Sequence, residues 1–233
     1  MRTIVYMAHP DINHSSSHQF LLSSGKATTQ AVFVDLSEQY QQQGYTFDIQ
    51  AERERLLQFD QIIFQFQLYW YQAPAIMKIW LDTVFDLEYS DERFRQELAG
   101  KNLGLVVIAG AKAEHYQAGG REGRTLSELL SPYELFARHF NLNYLMPLAI
   151  HQFHYMDEPM KFDLMMHYAC FIETGVANSF TALQYYIIEK LEKLTENELD
   201  LSETDQLMFE MFTNELSDQA DDLNDLNQLN EFW

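Results

Sequence analysis

The sequence predicts an α/β domain built on a doubly wound, five-stranded parallel sheet and followed by a helical, acidic C-terminal extension. Three observations predict it. Five short runs rich in Val, Ile and Leu are spaced along the first two thirds of the chain, and near-continuous apolar strands are the pattern of a parallel sheet covered on both faces. Amphipathic segments lie between those runs, as crossover connections between parallel strands require. From about residue 165 the alternation stops and only helical patterns continue. The expected division is residues 1–160 for the sheet domain and 161–233 for the extension.

The first strand is "TIVYMAH" (3–9), which begins almost at the first residue and so suits a central position. "QAVFVDL" (30–36), "DQIIFQFQ" (60–67), "NLGLVVIAG" (102–110) and "YLMPLAIHQF" (144–153) are the second to fifth. Helices are expected over 15–25, 51–57, 74–86 and 125–140. The last opens on Thr125 with Glu128 three residues later, a capping box; Pro74 suits a helix start because its missing N–H costs nothing there. In the extension, Thr195 with Glu198 and Ser202 with Asp205 have the same capping-box spacing, and Leu207, Met208, Met211 and Phe212 form one apolar stripe.

The formal charge is −20, and twelve of the 35 acids fall after Lys193, where there is no Lys or Arg. This argues against nucleic acid or an anionic membrane surface as a direct partner, since both need clustered cations. The acidic tail is read either as a solvated helical appendage or as a docking segment for a protein partner. Cys170 is the only cysteine, which excludes an internal disulfide and suits a reducing compartment. No apolar stretch reaches about 18 residues, and no signal peptide is read at the start, so a cytoplasmic, soluble protein is expected. His151 and His154 do not read as a metal pair, because strand residues three apart point to opposite faces.

In a doubly wound sheet, ligands sit outside the carboxyl ends of the strands. That directs attention to three loops, 9–18, 67–73 and 109–122. In the first, "AHPDINHSSSHQF" supplies His9, Ser15, Ser17 and His18 beside a helix start, where free N–H groups and the helix dipole favour an anion; serines there also serve as plain caps. In the second, Leu68, Tyr69, Trp70 and Tyr71 follow Gln67 directly. They offer a platform for a planar ring, or a surface cluster at a contact between copies.

The segment "YWYQAPAIMKIWLDTVF" resembles the flavin-binding segment of the flavodoxin-like NAD(P)H:quinone oxidoreductases, a family that includes the ancillary subunit of glutathione-gated potassium efflux systems. The "AHP" turn and its serines resemble that family's phosphate loop. "ELAGKNLGLVVIAGAKAEHYQAGG" resembles its third flavin loop, and "FARHFNLNYLMPLAIH" its approach to the fifth strand. The resemblance covers roughly residues 1 to 155. It implies a flavodoxin-like fold, a bound FMN (FAD being possible), NAD(P)H as co-substrate, and a homodimer with the flavin at the interface. It also implies two-electron reduction of quinones or related electrophiles. By position, His9, Ser15, Ser17 and His18 would face the flavin phosphate, and Gln67, Leu68, Tyr69, Trp70 and Tyr71 would edge the ring. Gly110 and Ala111 would close over its rim, with His115 and Tyr116 donating a hydrogen bond or proton. The chain departs from the family at Gln67 (usually Pro), at His18 (usually Asn) and at residues 108–111 (usually TTGG), and Arg121 or Glu122 stands where a histidine is common. A second implication of the resemblance is a regulatory subunit with weak or no catalysis.

Overall fold

The computed structural model describes residues 1–85, 92–195 and 202–230. Six parallel strands form one sheet: β1 (Thr3–Ala8), β2 (Val32–Asp35), β3 (Gln61–Gln67), β4 (Asn102–Ala109), β5 (Asn143–Tyr144) and β6 (Leu148–His151). Their order is β2-β1-β3-β4-β5, with β6 also on β4. The first strand is central, as expected. The fifth run does not make one strand. Pro147 lacks the N–H that a ladder needs, so the run divides into β5, in register with Asn102 and Leu103, and β6, in register with residues 106–109.

Alternation along the strands builds a core on each face. Ile4, Tyr6, Ile62, Phe64, Leu103 and Leu105 face one way. They are covered by α3 (Ile49–Leu57), α4 (Ala75–Val84), α5 (Glu92–Leu98) and α6 (Leu126–His139), through Leu56, Trp80, Phe94 and Tyr133. Val5, Met7, Ile63, Val106 and Ile150 face the other way. There α1 (Ser16–Thr28) and α7 (Glu158–Thr174) cover them with Leu21, Leu164, Tyr168, Phe171 and Ile172.

Three expectations are corrected. The second strand ends at Asp35, whose carboxylate accepts from the N–H groups of Ser37 and Glu38 and so starts α2 (Leu36–Gln42). The expected helix 74–86 runs from Ala75 to Val84, and its last expected residue lies outside the described ones. Helix α7 belongs to the sheet domain rather than to the extension, and the compact unit runs to Ala177. The last turn of α7 is held on the sheet by Gln61, whose Nε2 donates to the carbonyls of Phe171 and Ile172 at 3.1 and 3.0 Å, and by Thr3, whose hydroxyl donates to Ile172 at 2.7 Å. Gly104 lets this helix approach, since a Cβ there would stand 2.8 Å from the Phe171 ring.

One buried polar knot fixes α4. The Glu52 carboxylate, fully buried, accepts from Trp80 Nε1 (2.9 Å), Tyr6 Oη (3.1 Å), Gln39 Nε2 (2.6 Å) and Arg55 (2.7 Å). A buried carboxylate is tolerated only when so satisfied. Trp80 is therefore a core residue held from beneath.

The second unit, residues 178–233, pairs α8 (Phe180–Thr195) with α9 (Glu203–Asn230). Ser202 caps α9 by accepting from the Asp205 N–H at 3.3 Å, as its spacing predicts. The box at Thr195 and Glu198 lies outside the described residues. Among the described residues no helix is long and apolar enough to cross a membrane.

Candidate functional site

The three loops leave the carboxyl ends of β1, β3 and β4 side by side, and the turn after β6 joins them. After Ala8 the chain turns at His9 and Pro10, and the buried side chain of Ile12 anchors a short 3-10 turn. Ser15 then caps α1, accepting from the His18 N–H at 3.5 Å. Its hydroxyl lies 3.3 Å from Ser17 Oγ and 3.1 Å from His18 Nδ1. All three side chains are buried, and His18 Nε2 has no partner among the described residues. Burial, and then the neighbouring His9, push the His18 imidazole down to about 3. Its ring is thus neutral, with Nδ1 engaged by the serine hydroxyl and Nε2 a buried polar atom left over for a ligand.

His9 links this loop to the aromatic one. Its Nδ1 accepts from the Asp11 N–H at 3.0 Å, which places the proton on Nε2. Nε2 then donates to Tyr69 Oη at 3.0 Å, and the Tyr69 hydroxyl points on to Gln67 Oε1 at 3.5 Å. The rings of His9 and His18 lie 4.8 Å apart.

Tyr69 and Gln72 exchange backbone hydrogen bonds of 2.9 and 3.0 Å. Between them Trp70 and Tyr71 both take positive φ, 47° and 66°. Two left-handed residues in succession make the tight turn of a two-residue hairpin, a conformation that ordinarily calls for Asn or Gly. For a large L-residue it costs about 1 kcal/mol or more. The strain presents Trp70 at 92% exposure, with Tyr69 and Tyr71 beside it. Leu68 behaves differently: it packs on the core, and its N–H donates to Ile108 O at 2.8 Å.

In the third loop a 3-10 turn over Ala113–Tyr116 carries His115 and Tyr116. The chain then folds back, so that the Glu122 N–H donates to His115 O at 3.1 Å. Gly120 is required at this turn, because a Cβ would lie 2.5 Å from the same carbonyl. The fold-back brings Glu122 under the aromatic hairpin, where it accepts from Tyr71 Oη at 2.9 Å and pairs with Arg121. Arg121, then Tyr71, hold the Glu122 carboxyl below its ordinary range. Burial, then the Glu122 charge, raise the Tyr116 phenol, so it keeps its proton. His115 Nδ1 is buried without a partner among the described residues. Gly110 is open to solvent, and a side chain there would meet nothing within 4 Å. The Ala111 carbonyl accepts from His151 Nδ1 at 3.0 Å, and the His151 ring lies 5.9 Å from that of Tyr116.

The structure thus gathers His9, Ser15, Ser17 and His18 in one cluster and connects it through His9 to Tyr69 and Gln67. Ala111, His115 and Tyr116 lie across the neighbouring loop. Two residues outside the predicted set enter as well. Glu122 is signalled only as one of two residues standing where the resembled family commonly has a histidine, and His151 only by its place at a strand's carboxyl end. His151 and His154 serve different loops, the latter standing 3.4 Å from Ser16 Oγ.

The residues present fit a planar, phosphate-bearing cofactor. Buried polar atoms are ordinarily partnered; among the described residues five are not, and two of these, His18 Nε2 and His115 Nδ1, stand in the two loops that flank the aromatic hairpin. The chemistry on offer is polar side chains at a helix start, an exposed aromatic face, and a protonated phenol beside an imidazole at the rim.

Comparison with known proteins agrees with this fold. The flavodoxin-like fold family (Flavodoxin_2) matches residues 1–167. A solved NADPH-quinone reductase from P. pentosaceus is 33% identical, with 74% of this chain and 98% of that one covered and a TM-score of 0.65. General stress protein 14 from Treponema denticola, solved in complex with FMN, is 27% identical over 74% of this chain and 98% of its own, also at TM-score 0.65. The glutathione-regulated potassium-efflux system ancillary protein KefG of Enterobacter sp. (strain 638) is 29% identical over 150 residues, 64% of this chain and 81% of that protein.

Proposed function

The chain belongs to the flavodoxin-like fold family (Flavodoxin_2), and on that premise we propose that it is an FMN-dependent NAD(P)H oxidoreductase reducing quinones or related electrophiles. The observation that carries the reading is the strained aromatic hairpin set between two loops that each hold a buried, unpartnered histidine nitrogen. A flavin held there would supply the hydride relay between nicotinamide and acceptor.

The protein's own residues hold and orient. Ser15, Ser17 and the neutral His18 ring would present polar groups to a phosphate at the start of α1. FMN, ending in that phosphate, is preferred to FAD. Tyr69, oriented by His9, would hold a flavin there together with Trp70 and Tyr71. Tyr116 keeps a proton at Oη, and Glu122 holds Tyr71 in place from below. Hydrogen bonds from Tyr116 and His115 at the polar rim stabilise negative charge there. Exposed aromatic surface around Trp70 is covered in a homodimer that places the site at the subunit interface. The single buried cysteine suits work in the reducing cytoplasm.

A second reading, a regulatory subunit without turnover, draws on the unit 178–233, which lies beyond the family match. One experiment separates the two: purified protein is incubated with FMN, desalted, and its spectrum recorded before and after anaerobic NADH or NADPH. Retained flavin that bleaches and then reduces a quinone supports the oxidoreductase. Retained flavin that stays oxidised with both nucleotides, or no retention of FMN or FAD, overturns it in favour of the regulatory module.

A further inference from the structure

Helix α9 carries two seams on opposite sides. Phe209, Thr213, Leu216 and Ala220 recur at intervals of four, three and four residues. Thr213 and Ala220 are buried, and Phe209 and Leu216 are half-buried. This side meets α8, and across the pair Tyr185 Oη donates to the Asp221 carboxylate at 2.7 Å. Met208, Met211, Glu215, Asp218 and Asp222 recur at intervals of three, four, three and four, about 160° around the helix at ~100° per residue. All five are exposed. Leu207 and Phe212 flank the methionine pair, so four large apolar side chains stand in solvent at 58%, 64%, 65% and 55% exposure.

Heptad spacing is what packs a helix against another helix, and its seam positions are ordinarily apolar. Here the seam is apolar for two positions and acidic for the next three. We propose that this seam is a docking site for a cationic amphipathic helix of a partner protein, with apolar residues against Met208 and Met211 and Lys or Arg against Glu215, Asp218 and Asp222. Methionine adapts to varied apolar shapes, which suits the anchoring end. Charge selects the partner. There is no Lys or Arg after Lys193 against twelve acids, so a second copy would match the methionines while adding another twelve negative charges. A basic helix satisfies both halves of the seam.

The test uses the full chain and a fluorescein-labelled helical peptide carrying two leucines and then three lysines at heptad seam positions. Fluorescence anisotropy is expected to show saturable binding that weakens as salt rises. A scrambled peptide of the same composition is expected to bind at least about tenfold more weakly. Met208→Ser with Met211→Ser is expected to raise Kd about tenfold. Glu215→Gln, Asp218→Asn and Asp222→Asn together raise it and flatten the salt dependence. Circular dichroism checks that both variants keep their helix content, and neither touches the flavin loops. No binding, equal binding of the two peptides, or indifference to the substitutions overturns the proposal. So does sedimentation showing that the methionine seam already closes a dimer, disrupted by the methionine variant.

Discussion

At the scale of single residues, the site is written in protonation and backbone strain. His18 titrates well below the ordinary histidine value of 6.5 because it is buried. As pH falls, the unfolded chain therefore takes up the proton first. Stability present above about 6.5 is lost progressively towards about 3, at up to about 1.4 kcal/mol per pH unit. His18→Asn is expected to flatten the melting temperature between pH 6 and pH 4, as thermal denaturation across that range would show. Trp70, at φ 47° and almost wholly exposed, contributes strain and little burial. Trp70→Gly is expected to leave the flavin-free protein as stable or up to about 1 kcal/mol more so, while weakening flavin retention after desalting. A Trp70→Gly protein that melts lower without flavin would show that the turn is not strained. The aromatic loop itself was legible, since "LYWY" after a strand is conspicuous. Its left-handed turn was not, because neither Trp70 nor Tyr71 signals positive φ. The resemblance marks the Arg121–Glu122 position but not its role, which depends on a backbone fold-back that no side-chain pattern announces.

At the scale of elements, legibility followed burial. Strands covered on both faces read directly as apolar runs. The capping box at Thr125 also read directly, and both of its bonds form. Helix α2 was missed because "LSEQYQQ" buries only Leu36 and its start depends on the Asp35 carboxylate. The helical pattern of α7 is plain in the sequence but its place in the first unit is not, because position along the chain says nothing of which face a helix covers. The Glu52 knot spans β1, α2, α3 and α4 and was likewise invisible to local pattern. Glu52→Ala is expected to cost about 3–5 kcal/mol, since it strands Trp80 Nε1 and Tyr6 Oη in the core. Glu52→Gln, which keeps an acceptor, is expected to cost less. Urea denaturation of the two variants measures the difference.

At the scale of the whole molecule, both core clusters end by Ala177. A chain of residues 1–177 is expected to fold and melt cooperatively. A chain of residues 1–160 loses Leu164, Tyr168, Phe171 and Ile172, each worth roughly 1.5–3 kcal/mol of burial. Together they are comparable to the whole stability of a domain, about 5–15 kcal/mol, so the shorter chain is expected in the insoluble fraction on expression. The break at Pro147 has a further effect. One border of the sheet is the four-residue β2, and the other is divided into pieces of two and four residues. Neither border offers a long row of backbone groups to a stranger's strand. Protein crowded during synthesis or warmed in concentrated solution is thus poorly templated for fibril growth, and clumping, where it occurs, proceeds through side chains rather than through recruited strands.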